Sequence, residues 1–332
     1  MKKKLEIAVI GAGAISESHI GALAGMEDAR VAAVADIVTD KAEKLAARYS
    51  IKAYSDYKEM LDREKPDIAV ITLPHFLHRQ AAFDCAARGC NILLEKPMAM
   101  DAEECDDIIN LCGNRGVKLM IGHVRHFYNC YNRIREIIIS NLLGELIMIT
   151  NVRYCNYFAP SRPGWFLHNK TAGGGIVMNL GSHSFDIVQY LSGSRVKTVG
   201  AKVGRFAEGI EVEGNAQIFA ALESGVTASI TLSGYVSVPR SETELIFTKG
   251  MIKTTDDNGG TLFIGKDGIY EEVEVVKEDP LKLQMESFVK SIIENLPSPV
   301  TGEYGRSVVR AIRAAYESSE NNGAVQELLR PN

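Results

Sequence analysis

With 332 residues the chain can bury the cores of two domains, and 46% hydrophobic with 24% charged residues is the composition of a soluble globular protein. A formal charge of −5 argues against nucleic acid as a main partner, and no segment approaches the roughly eighteen apolar residues of a membrane span. The one basic run, Lys2-Lys3-Lys4, reads as a solvated terminus, because Glu6 interrupts the apolar stretch behind it and that stretch is accounted for as a strand, not a signal peptide. The cysteines, at 85, 90, 105, 112, 130 and 155, form no C-x-x-C pair. They read as buried free thiols of a cytoplasmic protein, with neither a disulfide framework nor a metal site expected.

From residue 5 to about 122 strand and helix patterns alternate. Strands are expected at 5–10, 31–36, 51–54, 67–72, 91–95 and 117–121, and helices at 14–25, 39–49, 56–63, 75–88 and 101–115. Apolar strands separated by amphipathic helices imply a parallel sheet covered on both faces, and right-handed crossovers make it doubly wound, with its ligand crevice at the carboxyl ends of the strands.

The first unit carries the strongest signal. An apolar run, Ile7 to Ile10, enters Gly11-x-Gly13-x-x-Ser16 and then a helix. Gly11 permits a tight turn, Gly13 removes a side chain that would block a pyrophosphate, and the helix start offers unpaired N–H groups to phosphate charge. Asp36 follows the second strand, where an acidic side chain binds the ribose hydroxyls of NAD and repels the extra phosphate of NADP; Ile37 brings no compensating cation. The bland alternative is a merely structural glycine turn.

Three further strand ends carry polar groups. The fourth ends in Thr72-Leu-Pro74-His75-Phe-Leu-His78, from which either histidine is a candidate cofactor contact or a plain surface residue. The fifth ends in Glu95-Lys96-Pro97, which points a lysine into the crevice, and the sixth in Gly122-His123-Val-Arg125-His126. The cofactor set expected is Gly11, Ala12, Gly13, Ala14, Ile15, Asp36, Thr72, Pro74, His75, His78, Glu95 and Lys96. A domain boundary is expected at residue 123, with 1–123 binding the nucleotide and 124–332 forming a substrate and oligomerisation domain whose last helix packs back on the first.

Past Val124 a helix is expected at 128–141, a strand at 146–154 and an aromatic loop at 155–172 holding the only tryptophan, Trp165. In the stretch 173–186, Asn179 and His183 stand four apart and share a helix face, with Asp186 placed to support the histidine from behind. Alternating runs from 196 to 276 imply a mostly antiparallel sheet with one face on helices, and helices return at 281–295 and 305–322. Substrate contacts are expected from Lys96, Arg125, Trp165, Asn179 and His183, with His168 a further wall.

The glycine loop at 11–16, Asp36, the Thr-x-Pro-x-x-x-His segment at 72–78, Glu95-Lys96-Pro97, the 173–186 stretch and the ending at 301–318 together resemble the Gfo/Idh/MocA family. The resemblance implies an α/β fold: an N-terminal Rossmann domain, then an α/β domain with an open antiparallel sheet that commonly packs against another subunit, giving a homodimer or homotetramer. It implies hydride transfer between nicotinamide and a secondary alcohol of a sugar, cyclitol or related polyol, with Lys96 bonding the reacting oxygen and His183 exchanging its proton; no metal, nucleic acid or membrane is expected. Many family dehydrogenases carry Asp where this chain has Asn179, and an amide cannot exchange a proton, although it can orient His183 or bind a hydroxyl. Two alternatives belong to the same resemblance: an NAD-dependent glycosidase working by oxidation and elimination, and a non-catalytic NAD-binding regulator.

Overall fold

A computed structural model describes residues 4–235, 238–256 and 260–328, so Lys2 and Lys3 lie outside the described residues. Its contacts divide the chain into two compact units, Met1–Val124 with Asp279–Arg306, and Arg125–Glu278 with Ser307–Asn332. The segment 279–306 therefore packs with the first unit although it follows the second in sequence. Among the described residues no helix is long and apolar enough to cross a membrane.

The first unit alternates β1 (Leu5–Ile10), α1 (Ala14–Leu23), β2 (Ala29–Ala35), α2 (Thr39–Tyr49), β3 (Lys52–Tyr54), α3 (Tyr57–Glu64), β4 (Ile68–Ile71), α4 (His78–Ala87), β5 (Asn91–Glu95), α5 (Ala102–Arg115) and β6 (Leu119–Gly122). The strands form one parallel sheet in the order β3-β2-β1-β4-β5-β6. Order reverses between β1 and β4, the switch point at which open α/β sheets bind ligands. Helices cover both faces, so the inner strands are apolar without alternation: Ile7, Ile68, Ile71 and Leu93 are fully buried. Residues 75–88 are less uniform than their helical pattern suggests. Pro74 holds an extended backbone, His75–Leu77 make a tighter 3₁₀ turn, and α4 begins only at His78.

The second unit contains α6 (Asn129–Ile139), β7 (Leu146–Tyr154), the single turn α7 (Asn169–Ala172), α8 (Ser182–Ser192), β8 (Val196–Gly204), β9 (Asn215–Leu222), β10 (Thr227–Ser233), β11 (Arg240–Phe247), β12 (Gly250–Thr255), β13 (Thr261–Lys266) and β14 (Ile269–Val273). Then α9 (Pro280–Ile293) belongs to the first unit, α10 (Gly302–Glu320) begins in the first and continues in the second, and β15 (Gln326–Glu327) ends the series. Nine strands pair as β14-β13-β12-β11-β7-β10-β9-β8-β15, all antiparallel except the central β7–β10 pair. The short β15, too brief for a periodic signal, completes one edge on β8.

Alternation decides the two faces of this sheet. Ile149, Ile218, Ile230, Leu245, Ile252 and Leu262 point inward and are buried. Across the other face Phe263, Lys253, Glu244, Thr150, Ser229 and Phe219 lie side by side on six neighbouring strands. The parallel row two residues away carries Met251, Ile246 and Met148, and Phe219 and Met148 are exposed at 54% and 43%.

One buried carboxylate knits this unit. Asp256 receives Arg125 at 2.5 Å and Arg153 at 2.7 Å, and the hydroxyls of Tyr131 and Ser241 donate to it as well. Burial pushes the Asp256 carboxyl up, but the two guanidinium groups and two hydroxyls outweigh it and hold it below the ordinary carboxylate range. Its contribution is therefore present above the unfolded pKa, about 4, and lost as pH falls through the lower folded value. Asp256→Asn should cost about 3–5 kcal/mol at neutral pH, because it strands two buried cations. Urea unfolding at stepped pH should show that deficit narrowing in acid, and a deficit independent of pH would contradict the assignment.

Candidate active site

At the end of β1 the chain turns between the tips of β2 and β4. The Gly11 N–H donates to the Ala35 carbonyl at 2.8 Å, and the Thr72 N–H donates to the Ile10 carbonyl at 2.9 Å. Gly11 has φ +106°, and a Cβ there would stand 2.7 Å from Thr72 Oγ1 and 2.9 Å from the Thr72 carbonyl oxygen. Only glycine fits. Thr72 Oγ1 donates to the Ile10 carbonyl at 2.8 Å, which leaves Ser16 Oγ as the donor in its 2.8 Å contact with Thr72 Oγ1, while Ser16 Oγ accepts the Gly13 N–H at 3.0 Å. Thr72 thus serves the cofactor loop from behind.

Gly13 caps α1, and a Cβ built on it would meet nothing within 4 Å. With Ala14 and Ile15 exposed beside it, the positive end of α1 opens to solvent, as a pyrophosphate cradle requires. Asp36 closes the far side: its Oδ2 accepts the Ala12 N–H and its Oδ1 the Val38 N–H, both at 2.8 Å. A carboxylate has about four acceptor positions, so two remain for ribose hydroxyls. These residues fit a dinucleotide.

The two histidines after β4 are buried. His78 is enclosed with Nδ1 3.0 Å from the Pro97 carbonyl and Nε2 2.8 Å from the Leu73 carbonyl, and burial lowers its pKa. The ring lies between the loops that follow β4 and β5 and, neutral, donates to only one of the two carbonyls. His75 lies edge-on to it, with ring centroids 5.9 Å apart. Lys96, half-buried at the carboxyl edge of β5, is joined to Pro97 by a cis peptide bond. Glu95 beside it bonds a residue absent from the sequence expectations, His19 on α1, at 2.9 Å. The only signal for His19 was periodicity: Ser16, His19, Ile20 and Leu23 share the buried face of α1.

In the second unit Asn179 and His183 sit on one helical run, but residues 177–181 form a π turn before α8 resumes at Ser182. The wider turn, not a regular α-helical spacing, sets the register between the two side chains. Asn179 is buried and His183 half-buried. Asp186, expected to support His183, has its Oδ1 accepting from His126 Nε2 at 2.7 Å, and the His126 ring stacks on Tyr190 at 3.8 Å. The start of this helix is held by Glu213, which no local pattern singles out. Its carboxylate accepts the Gly175 and Val177 N–H groups at 2.8 and 2.9 Å and the Tyr316 hydroxyl at 2.8 Å. The glycines make room for it: a Cβ at Gly175 would lie 2.2 Å from the Glu213 carbonyl oxygen, and one at Gly174 would lie 2.0 Å from the Tyr316 hydroxyl.

The expected substrate walls divide. Arg125 is buried against Asp256, with burial pulling its pKa down and the carboxylate pushing it up to a net rise. Trp165 is half-buried and stacks on Phe166 at 3.7 Å, its carbonyl accepting from Thr171 Oγ1. Pro163 and that hydroxyl organise the expected loop into a 3₁₀ turn at Gly164–Leu167 followed by α7. His168 is exposed and pairs with Glu211 at 3.2 Å. Tyr157, unforeseen, is fully buried with Arg162 3.9 Å over its ring; burial raises its phenol to about 12, and Arg162 and Asn179 offset only part of that.

Glycine cradle, terminal acid and doubly wound sheet define a dinucleotide-binding oxidoreductase domain, and the comparisons agree. Residues 5–123 match the model of the oxidoreductase family with an NAD-binding Rossmann fold, and residues 131–253 match the GFO/IDH/MocA C-terminal domain. The chain belongs to the Gfo/Idh/MocA oxidoreductase family. It is 33% identical over 175 residues to 1-carboxy-3-chloro-3,4-dihydroxycyclohexa-1,5-diene dehydrogenase of Comamonas testosteroni, a match spanning 52% of this chain and 44% of that protein. It is 28% identical to an inositol 2-dehydrogenase of Arthrobacter sp. over 78% of this chain and 76% of that one. Among solved structures, aldose-aldose oxidoreductase from Caulobacter crescentus complexed with glycerol superposes with a TM-score of 0.90, at 24% identity, over 98% of this chain and 100% of that chain.

Two alanine substitutions separate scaffold from cradle. Gly11→Ala should destabilise the fold by roughly 2 kcal/mol or more, since it adds both a disfavoured φ and a backbone overlap. Gly13→Ala should leave stability within about 0.5 kcal/mol. Its methyl group should instead weaken NAD by about tenfold or more, as measured by calorimetric titration.

Proposed function

We propose that this protein is an NAD-dependent dehydrogenase acting on a secondary alcohol or ketone of a sugar, cyclitol or related polyol. The observation that carries the reading is the open cradle at Gly13, closed on its ribose side by Asp36 and sharing its strand-end edge with Lys96. Preference for NAD follows from charge. Asp36 sets a carboxyl group beside the cradle, and residues 37–40 contain no lysine or arginine to neutralise a 2′-phosphate. The cyclitol and aldose names of the relatives support the substrate class, as does the polar and aromatic 155–172 segment.

Bound nicotinamide supplies the hydride acceptor. The chain's own residues supply charge and proton control. The Lys96 ammonium stabilises the negative charge that develops on the substrate oxygen as its proton leaves. The His183 imidazole takes that proton during oxidation and returns it during reduction, the general acid–base role open to a histidine side chain. Asn179 orients rather than titrates, so no carboxylate–histidine dyad operates at that position. The same reading makes the outer face of the nine-stranded sheet, with Phe219, Met148 and Ile246, the contact between two copies of the chain in a cytoplasmic homo-oligomer.

An absorbance screen for NADH with cyclitols, aldoses and glycosides decides the activity. NADH formed from a free polyol is the expected result, whereas glycoside cleavage without net NADH would replace this reading by the oxidation–elimination one. Lys96→Ala and His183→Ala should each lower kcat about 10²–10⁴-fold with NAD affinity little changed. Asp36→Ala should raise the KM for NAD and relax discrimination against NADP; unchanged preference would remove Asp36 from that role. Phe219→Glu should shift the chain toward monomer in light scattering.

A further inference from the structure

Lys96 carries a long, flexible side chain on a backbone that its neighbour tethers. Its own N–H donates to Glu95 Oε2 at 3.2 Å, so the residue before it folds back to hold it. The carbonyl of the residue after it, Pro97, lies 3.0 Å from Nδ1 of the buried His78 ring. The Glu95 carboxylate cannot wander. Its other oxygen, Oε1, takes His19 Nε2 at 2.9 Å, and a Cβ on Gly122 of β6 would stand only 3.0 Å from that same oxygen. His19 is 1% exposed and the Glu95 side chain 12%.

The charged and titratable groups facing Glu95 are His19 from α1, Lys96 from its own strand end and His78 from α4; Gly122 of β6 brings none. Burial pushes the Glu95 carboxyl up, and the His19 hydrogen bond with the His19 and Lys96 charges brings it net below its ordinary value. Glu95 is therefore a carboxylate at neutral pH, an acceptor at both oxygens. The same α1 that carries His19 begins at Gly13, the cradle for the cofactor.

We infer that His19 is a positioning residue for Lys96: through the Glu95 carboxylate it fixes the Lys96 backbone and ties it to the helix whose N-terminus receives the dinucleotide. The inference rests on the reading of Lys96 as catalytic only for its consequence in turnover; the mechanical link is independent of it. Glutamine is the informative replacement, because its amide nitrogen stands where His Nε2 stands and still donates, whereas alanine removes the donor.

Backbone amide exchange in the full unliganded chain, followed by NMR, tests the link directly. His19→Ala should speed exchange at the Lys96 amide about tenfold or more, leave the amide of Val70 in β4 at the wild-type rate, and be restored to within about threefold by His19→Gln. In turnover with a substrate found by the screen, His19→Ala should lower kcat about tenfold or more with KM for NAD within about threefold, and His19→Gln should recover most of it. A Lys96 amide exchanging at the wild-type rate in His19→Ala, or acceleration of Val70 by the same factor, would overturn the proposal. Silence in the substrate screen, or full turnover in Lys96→Ala, would instead overturn the functional reading and leave the exchange result standing.

Discussion

The turn at Gly11 is the constraint on which the nucleotide-binding half depends. There β1 ends between the tips of β2 and β4, and the space left for a side chain is filled by Thr72. Because no Cβ fits, the strand terminates sharply and α1 starts with its N–H groups aimed outward. The hydroxyls of Thr72 and Ser16 then satisfy the carbonyl of Ile10 and the N–H of Gly13. Thr72, expected among the cofactor contacts, is thereby committed with Ser16, in part, to holding the loop open. The loop before the cradle is thus preorganised by bonds from Asp36, Ser16 and Thr72.

A second glycine-rich stretch, at 173–175, has the opposite arrangement, and the contrast is informative. Both stretches precede a helix, and both helix starts favour negative charge. At Gly13 nothing of the protein occupies the space, so an external anion is accommodated. At Gly174 and Gly175 the protein's own Glu213 and Tyr316 fill it, accepting the N–H groups that a phosphate would otherwise take. Two glycine-rich helix starts thus leave an open cradle in one place and an internal clamp in the other. What separates them is whether a distant segment delivers a carboxylate. The clamp has its own use, since it seats the run carrying Asn179 and His183 through a π turn.

That difference also marks how far the sequence was legible. The alternation of apolar strands and amphipathic helices dictates the parallel sheet, and the glycine pattern dictates the turn after its first strand, because these are local rules with short periods. The mostly antiparallel second sheet followed from two-residue alternation in the same way. Partners such as Asp256 for Arg125 and Glu213 for Gly175 are 131 and 38 residues away in sequence, and no periodicity reports them. For that reason Arg125 read as a substrate wall when its guanidinium is engaged by a buried carboxylate. The π turn between Asn179 and His183 is equally silent, since helix patterns at these lengths do not distinguish widened turns. His19 was visible only as a polar residue on a buried helical face, a local inconsistency of the kind that concentrates at functional positions.

Charge in this protein falls into two groups by burial. Asp186 and Glu213 are enclosed and bonded from within, and such groups give uniqueness of structure more than net stability, since each carboxylate leaves water at a cost that its partners only offset. Lys96, His183 and Asp36 are only partly covered. Glu95 lies between these groups: its carboxylate is nearly enclosed, yet it adjoins the half-buried lysine through the backbone. A side chain in that position can transmit the rigidity of the packed interior to a residue at the surface of the cleft without itself touching substrate. Precision at a strand end is hard to obtain otherwise, because the sheet's hydrogen bonds stop there and only side chains remain to fix the backbone.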